Sequence, residues 1–368
     1  MGFENIFNPQ YWAVVPFHFW SLVFFSFGCI VGSFLNVCIY RMPLDLSVVS
    51  PPSHCPHCKY AIPFYLNVPL LTWLSLRGQC KNCGAPISPR YFIVELLTGV
   101  AFLACCLAFG HSAPWVALVY CLFLAGLITA TFIDFEHFII PDEITFGGAA
   151  VGFLISVFLP QLHGTQRWSE SAVLSLAGVA AGAGIVYAVL RLGKLLFGRQ
   201  KVKLDGEAKI IFTETALCLP GQEIPYEEIF YRKSDTIVLE ARTVELIDRS
   251  YRDVKLWLSP HRLKIGDEEI DPETVPHLEA VCSEVVLPRE AMGLGDVKFM
   301  AAIGAFTGWQ GAVFSLMASS LIGSVVGIIL ILLRKREWSS RMPYGPYIAA
   351  AAVIWIFGGK SIFAALFH

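Results

Sequence analysis

Long apolar stretches alternate with short polar ones along most of the chain, as is typical of a protein that crosses a membrane several times. Phe17–Tyr40 has no charged residue, and as a helix it can span a hydrocarbon core of about 30 Å. Leu96–Ile133 is also uncharged but is too long for one span. Gly and Pro within Phe109–Pro114 predict a turn that divides it into two. The pattern therefore predicts three helices before residue 134.

The same pattern continues after residue 140. Ile144–Gln166 contains a fourth predicted span, and Ser171–Leu190 is a fifth. Phe299–Leu333 is again too long for one helix, and Gly308-Trp309-Gln310-Gly311 predicts a turn within it. Met342–Gly359 begins the last span. We expect an all-α polytopic membrane protein with about eight transmembrane helices.

Composition supports this class. Of the 368 residues, 55% are hydrophobic and 15% are charged, with a mean hydropathy of +0.61. Soluble domains usually carry about 25% charged residues. A soluble globular enzyme and a disordered or fibrous chain are therefore excluded, and the bilayer is an expected partner. The net charge of −2 gives no indication of nucleic-acid binding.

One polar segment, 198–289, interrupts the apolar pattern and contains most of the acidic residues. Turns are predicted at Pro220-Gly221 and Gly266-Asp267. Short strands are predicted at Ile210–Phe212, Thr236–Leu239, Val254–Leu258 and Arg262–Ile265. We interpret the segment as an inserted β-rich domain.

Basic residues indicate the orientation, because Lys and Arg concentrate in cytoplasmic loops. They occur between spans one and two, after span five, and between spans seven and eight, whereas the N-terminus and the opposite turns contain only Arg167. Both termini are therefore predicted to lie outside, with the 41–90 loop and the insertion in the cytoplasm. Met1–Pro16 has no basic residue, so no cleavable signal peptide is predicted.

Four cysteines form two pairs of the same spacing, Cys55-Pro-His-Cys58 and Cys80-Lys-Asn-Cys83. Such pairs about twenty residues apart suit one tetrahedral structural zinc ion per chain. The alternative is a disulfide or redox pair, which a cytoplasmic loop disfavours. His54 and His57 are alternative ligands, but four thiolates already complete the shell.

Two acids stand at predicted cytoplasmic helix ends, Asp134 and Asp296 of Gly293-Leu-Gly-Asp296. Two neighbouring carboxylates can share a proton, so that one activates water while the other donates to a carbonyl oxygen. The alternative for Asp296 is a helix N-cap after a Gly-rich turn, and capping is the favoured role of Asp142. Lys298 is interpreted as a residue that extends to the membrane surface, or one that tunes Asp296.

Taken together, these motifs resemble the type IV prepilin peptidases, also called leader peptidase/N-methyltransferases. The resemblance covers nearly the whole chain outside the insertion. Its matching pieces are 32–41, the two Cys pairs, 67–73, 76–80, 86–91, 94–96, 132–134, 140–142, 291–298 and 342–346.

The resemblance implies a multi-pass protein of the bacterial inner membrane with its active site on the cytoplasmic side. It implies that Asp134 and Asp296 are the catalytic pair of an aspartic endopeptidase. The expected substrates are prepilins or pseudopilins of type IV pili or type II secretion, cut after a Gly. The family then N-methylates the new N-terminal residue with S-adenosylmethionine. The methyltransferase residues that the resemblance carries over are Gly32, Asn36, Arg41, Gly78 and Glu95.

The predicted organisation has five parts: 1–40 with the first helix, 41–90 as the zinc loop, 91–197 with helices two to five, the 198–289 insertion, and 290–368 with the Gly-x-Gly-Asp motif and the last three helices. The insertion departs from the family pattern. It either binds a pilus assembly or secretion protein, gates the site, or is merely tolerated. Three alternative functions stay open: another intramembrane aspartyl protease, a zinc-bearing scaffold or transporter, and a peptidase without methyltransferase activity.

Overall fold

The computed structural model describes residues 17–197, 199–220, 222–226, 229–230, 235–246, 248–288, 293–333 and 342–367. The chain divides into two compact units. One contains the residues up to Tyr187 and from Leu294 onward, and the other runs from Ala188 to Gly293. The five-part division stays a prediction. Some residues used for the sequence predictions lie outside the described residues. They are 1–16 and 334–341, whose charges helped to predict the orientation, and Gly221 of a predicted turn.

The first unit is helical. Its helices are α1 (Phe17–Arg41), α2 (Leu71–Ser75), α3 (Pro89–Phe109), α4 (Pro114–His137), α5 (Asp142–Phe158), α6 (Trp168–Phe197, which continues into the second unit), α7 (Leu294–Leu332), α8 (Gly345–Ile354) and α9 (Lys360–Phe367), with a wider helical turn at Trp355–Gly359 joining the last two.

Six helical segments of the described chain are long and apolar enough to cross a membrane. They are α1, α3, α4, most of α6, α7, and the run Gly345–Ala365. α5 has 17 residues and reaches about 25 Å. A polytopic membrane protein is thus confirmed, whereas the count of eight spans and the cytoplasmic side stay predictions.

The predicted breaks are found where Pro and Gly indicated them. α3 ends at Phe109 and α4 begins at Pro114. Within the 39 residues of α7, Gly308 has φ 73° and ψ 179°, which only glycine adopts without strain. This break reverses the chain direction. Before the break, Gly295 lies beside Ile140 at one end of the bundle. Gly308 lies beside His163 at the other end. After the break, α7 runs back, and Gly327 lies beside Met342.

Helix α6 and the first part of α7 pack directly against each other through two glycines. A Cβ on Gly178 would lie 2.0 Å from the carbonyl oxygen of Gly304, and one on Gly304 would lie 2.1 Å from that of Gly178. The two backbones therefore touch, as small residues allow in membrane helices. Next to this contact, the hydroxyls of Ser156 and Ser175 both donate to the carbonyl of Ala305.

The second unit contains one eight-stranded antiparallel sheet in the order β3-β2-β1-β8-β4-β5-β6-β7. The strands are β1 (Arg199–Phe212), β2 (Ala216–Leu219), β3 (Gln222–Pro225), β4 (Ile237–Glu245), β5 (Ser250–Ser259), β6 (Arg262–Ile265), β7 (Glu268–Ile270) and β8 (Leu278–Pro288). The four predicted strands are found, although three are longer than predicted. The sheet encloses an apolar core that includes Ile210, Leu217, Ile237, Leu256 and Val285.

Antiparallel pairing brings the entry and exit of this sheet together. Arg199 at the start of β1 faces Pro288 at the end of β8, and Lys201 faces Val286. Such cross-strand partners have Cα atoms about 5 Å apart. The first and last strands of the sheet unit therefore have their outer ends side by side.

Candidate active site and metal-binding loop

The two Cys pairs form turns of the same shape. Lys59 N–H donates to the carbonyl of Cys55 at 2.9 Å, and Gly84 N–H donates to that of Cys80 at 2.9 Å. Both Lys59 and Gly84 have a left-handed backbone, with φ of 58° and 70°. Each turn brings its two thiols to the same side, as the spacing requires for one shared metal ion.

The four sulfur atoms form a compact cluster. All lie within 4.8 Å of one another, with Sγ–Sγ distances of 3.8 Å for Cys55–Cys83 and 4.0 Å for Cys58–Cys80. A tetrahedral zinc site with Zn–S bonds of about 2.3 Å has sulfurs about 3.8 Å apart. The donor set and spacing fit a closed structural metal site. His54 faces the carbonyl of Pro52 instead, with its Nδ1 at 3.0 Å.

Local hydrogen bonds favour the thiolate form of Cys58 and Cys80, whereas the pKa of Cys83 is raised to about 11, because burial and the neighbouring thiols outweigh a backbone hydrogen bond from Ala85. The side-chain amide of Asn82, whose Nδ2 lies 3.5 Å from the Sγ of Cys58, lowers the pKa of that thiol to about 6. The backbone N–H groups of Cys83 and Asn82 lower the pKa of Cys80. Metal ligation requires deprotonated Cys, so these bonds prepare the loop for a cation.

Glu95 anchors the loop to the bundle. Its side chain accepts a 2.8 Å hydrogen bond from Leu70 N–H, and the hydroxyl of Ser33 also contacts it. Leu70 has φ 61°, an unfavourable conformation for a branched residue that this bond helps to hold. Glu95 is only 7% exposed. The carboxylate thus joins the loop to the bundle, and the methyltransferase role carried over to Glu95 stays a prediction.

Three of the five residues carried over for methyl transfer lie where α1 packs against α3. A Cβ on Gly32 would lie 2.7 Å from Glu95 Cα. Asn36 is 1% exposed, and its amide nitrogen donates to the carbonyls of Gly32 and Tyr91. Its Oδ1 is buried without a hydrogen-bond partner in the described chain. A buried acceptor without a partner is unusual in a folded protein and suits a missing hydrogen-bond donor.

The other two residues shape the loop. Arg41 is buried, and its guanidinium donates to the carbonyls of Ser47 and Pro51. Gly78 has φ +66° and packs against the ring of Trp73. These contacts are with residues of the loop itself.

Asp134 lies in the last turn of α4, 6% exposed. Its Oδ2 accepts a 2.8 Å hydrogen bond from Gly345 N–H at the start of α8. A Cβ on Gly345 would lie 2.7 Å from that oxygen. Only glycine permits this approach, so a residue 211 positions away fixes the carboxylate.

Asp296 lies in the first turn of α7 and is 9% exposed. Ile140 connects its surroundings with those of Asp134. A Cβ on Gly295 would lie 3.7 Å from Ile140 Cβ, and one on Gly345 would lie 3.2 Å from Ile140 Cδ1. Both buried acids therefore lie at the same end of the helical unit, near one apolar side chain.

Asp142 does not have the capping role that the sequence favoured. α5 has Pro141 at its N-cap and no side-chain cap, so Asp142 is the first residue of the helix. Its carboxylate accepts a 2.7 Å ion-pair hydrogen bond from Lys298 Nζ instead. Capping was favoured because a local pattern cannot show a partner 156 residues away.

Sequence reasoning missed the roles of Gly345 and Leu70. Gly345 belongs to the Met342-Pro-Tyr-Gly-Pro346 motif, which carried the resemblance without a function attached to it. The position of Gly345 within that motif was the signal by which the sequence could have indicated its role. Leu70 lies in the 67–73 motif, and nothing in its side chain indicates that its backbone N–H is the functional group.

The described residues thus form a polytopic membrane protein with two buried carboxylates at one end of its helical unit and a loop of four clustered thiols. Comparison with known proteins identifies its family. A profile of the bacterial peptidase A24 N-terminal domain matches residues 26–109. A profile of the type IV leader peptidase family matches 121–204 and 278–328. The chain belongs to the type IV leader peptidase family and is a peptidase.

Named relatives match over half to nearly all of the chain. The prepilin leader peptidase/N-methyltransferase of Aeromonas hydrophila is 29% identical over 95% of this chain and 93% of its own length. That of Myxococcus xanthus (strain DK1622) is 44% identical over 49% of this chain and 57% of its own. A type 4 prepilin-like proteins leader peptide-processing enzyme of Escherichia coli O78:H11 (strain H10407 / ETEC) is 28% identical over 90% and 91%. No solved structure matches.

Proposed function

We propose that this chain is an aspartic endopeptidase that removes the leader of type IV prepilins or pseudopilins after a Gly, and that it then N-methylates the new N-terminal residue. The observation that carries the peptidase step is the Asp134 carboxylate, buried at the helix end and held by Gly345 N–H. Its surroundings meet those of buried Asp296 at Ile140. The names of the relatives supply the substrate class.

In this proposal, two acids in a poorly solvated site do not both ionise. The ionised carboxylate takes a proton from water, and the oxygen of that water attacks the carbonyl carbon of the leader Gly. The protonated acid donates to the carbonyl oxygen. Collapse of the tetrahedral intermediate breaks the C–N bond, and the leaving amine takes a proton. No covalent enzyme intermediate forms.

The proposed setting is the bacterial inner membrane, with both acids, the Cys loop and the insertion at the cytoplasmic side and the termini in the periplasm. A prepilin has its basic leader in the cytoplasm and its apolar segment in the bilayer. Cleavage at the membrane edge suits that arrangement.

The test is mass spectrometry of a prepilin incubated with the purified enzyme in lipid. The wild type should remove the leader. Asp134→Asn and Asp296→Asn should each slow cleavage by at least about a hundredfold, because each removes a proton-transfer group. Asp45→Asn is the matched control, since Asp45 is exposed and already has the left-handed backbone that Asn tolerates. Substantial cleavage by either folded dyad variant would reject the dyad.

For methyl transfer, we propose that Asn36 and Glu95 hold a cationic group through the unpaired Asn36 Oδ1 and the Glu95 carboxylate. S-adenosylmethionine has a sulfonium and an ammonium group, and as methyl donor it would supply the methyl group. Glu95→Gln should retain cleavage and lose the methyl mass increment and binding of S-adenosylhomocysteine by calorimetry. A variant that still methylates at the wild-type rate would contradict this assignment.

For the Cys loop, we propose one structural zinc ion held by Cys55, Cys58, Cys80 and Cys83. Elemental analysis of the purified chain should give about one zinc per chain, because a closed four-thiolate shell holds one ion. Cys58→Ser should lose most of it, and Cys218→Ser, which is outside the cluster, should retain it. A metal-free wild type with four intact thiols would reject the site.

A further inference from the structure

A second polar site lies at the opposite end of the bundle from Asp134. It is a cavity of about 210 Å³, whose polar lining includes Tyr120, His163, Thr307, Gln310, Trp355 and Lys360. Tyr120 precedes Asp134 by fourteen residues on the same helix, which places the cavity about 20 Å away along that helix. The peptidase chemistry proposed above does not use it.

Lys360 is the only charged group in the lining, which contains no Asp or Glu. Within the residues that the structure describes, the side-chain ammonium of Lys360 makes neither an ion pair nor a hydrogen bond. It lies in the apolar helical run Gly345–Ala365. A cation in such a run is costly unless an anion or water compensates it, and it therefore indicates a functional site.

His163 contributes no charge at neutral pH. Its Nε2 lies 3.0 Å from Ser156 Oγ. Burial and the charge of Lys360 lower the pKa of His163 to about 4, against the favourable contact with the Ala305 carbonyl. The cavity therefore has one positive charge, together with neutral donors of the Tyr, Gln and Trp types.

The surroundings suit an amphiphile. Leu162, Leu174 and Phe306 form an apolar part of the same wall. Trp115, Trp168 and Trp309 are exposed at this end of the bundle. Exposed Trp side chains favour the level of the lipid headgroups, where phosphate groups also lie.

We propose that this cavity binds the phosphate of an anionic phospholipid headgroup, with Lys360 as the counter-charge. Lysine binds phosphate as a compact point charge, and the neutral donors would bind the remaining phosphate oxygens. The apolar wall would contact the first carbons of the lipid. This inference is independent of the proposed catalytic function.

The test is native mass spectrometry of the full chain in detergent, titrated with phosphatidylglycerol. The wild type should retain one lipid, and Lys360→Met should weaken its binding at least about tenfold, because a charge-assisted hydrogen bond is lost. Lys360→Arg should restore binding. Arg167→Met is the matched control, since Arg167 is basic and exposed at the same end but is paired with Glu170. It should bind like the wild type.

Gln310→Leu is a second variant, in case Lys360→Met does not fold. Gln310 is exposed, and its replacement should weaken binding several-fold through loss of a neutral donor. Inorganic phosphate is titrated in parallel by thermal shift. Lys360-dependent stabilisation by phosphate, without lipid retention, would uphold the anion site and identify a soluble ligand.

Two results would overturn the proposal. In the first, folded Lys360→Met retains phosphatidylglycerol as well as the wild type does, which would mean that Lys360 merely extends to the membrane surface. In the second, Arg167→Met loses as much lipid binding as Lys360→Met does. That would mean that any basic residue at this end of the bundle attracts phosphatidylglycerol, without a specific site at Lys360.

Discussion

Gly345 approaches Asp134 so closely that no side chain has space at position 345. In Gly345→Ala, a Cβ would meet Oδ2 at 2.7 Å, so the carboxylate or the start of α8 must shift. Displacement of a reacting group by about 1 Å can cost about a hundredfold in rate. We expect a loss of that size in prepilin cleavage, measured as kcat/KM.

Gly358→Ala is the control for this prediction, because a Cβ there has no atom within 4 Å. It should cleave like the wild type. Equal rates for Gly345→Ala and the wild type would show that Asp134 does not depend on this contact.

His163 makes the stability of the protein depend on pH. Its pKa is lowered from 6.5 to about 4, so the unfolded chain takes up the proton first as pH falls. The contribution of His163 to the free energy of unfolding is therefore fully present above pH 6.5. It decreases by up to about 3 kcal/mol as pH falls from 6.5 to 4.

The melting temperature should accordingly fall more steeply for the wild type than for His163→Gln when pH is lowered from 7 to 5. The exposed His137→Gln serves as the control and should follow the wild type. Parallel curves for the wild type and His163→Gln would contradict the prediction.

Among the helices, the Asp142–Lys298 ion pair connects the first turn of α5 with the first turn of α7, two residues after Asp296. Lys298 Nζ also lies 4.9 Å from the ring centre of Phe146. The side chain of Asp142 is 62% exposed, so the pair contributes less than about 1 kcal/mol to stability. We expect its main effect to be on the position of Asp296, which lies two residues before Lys298.

Lys298→Met should therefore lower kcat roughly tenfold with little change in melting temperature, because a shift of the α7 start displaces Asp296. The charge-swapped double variant Asp142→Lys/Lys298→Asp should recover part of the loss. A double variant no better than Lys298→Met would show that pairing is not what matters.

The elements that the sequence predicted best are those that local chemistry decides. The Phe109–Pro114 turn, the break at Gly308 and the two Cys turns are set by Gly, Pro or Cys at fixed spacing. β1 was predicted only at Ile210–Phe212, because charged residues such as Lys201 and Lys209 obscure the alternation earlier in that strand. β8 was missed, since its pairing with β1 is a long-range contact.

The same limit applies to the site. The candidate acids and thiols were identified from residue type and spacing. The contacts that position them, Gly345 with Asp134 and Leu70 with Glu95, join segments far apart in the chain through backbone N–H groups. Every residue except proline has such a group, so no sequence pattern distinguishes the ones that act.

At the scale of the whole molecule, the sheet unit begins and ends on paired strands. We therefore expect that the unit can be removed without loss of leader cleavage. Replacing residues 201–286 with a short Gly-Ser linker should leave leader cleavage within about threefold of the wild type, because Lys201 and Val286 are cross-strand partners about 5 Å apart. Cleavage of a prepilin by the shortened chain, with its melting temperature as a check of folding, is the measurement.

Loss of cleavage in a shortened chain that folds would instead assign the insertion a part in the reaction. The family comparison agrees with removal, since the profile match stops at 204 and resumes at 278.

The backbone contact between Gly178 and Gly304 has a mechanical consequence. Where two carbonyl-lined surfaces touch with no side chain between them, neither a lipid tail nor a detergent molecule has space to enter. This seam should hold α6 and the first part of α7 together when the bilayer thins or is replaced by a micelle. Amide hydrogens along it should then exchange with deuterium more slowly than elsewhere in the helical unit.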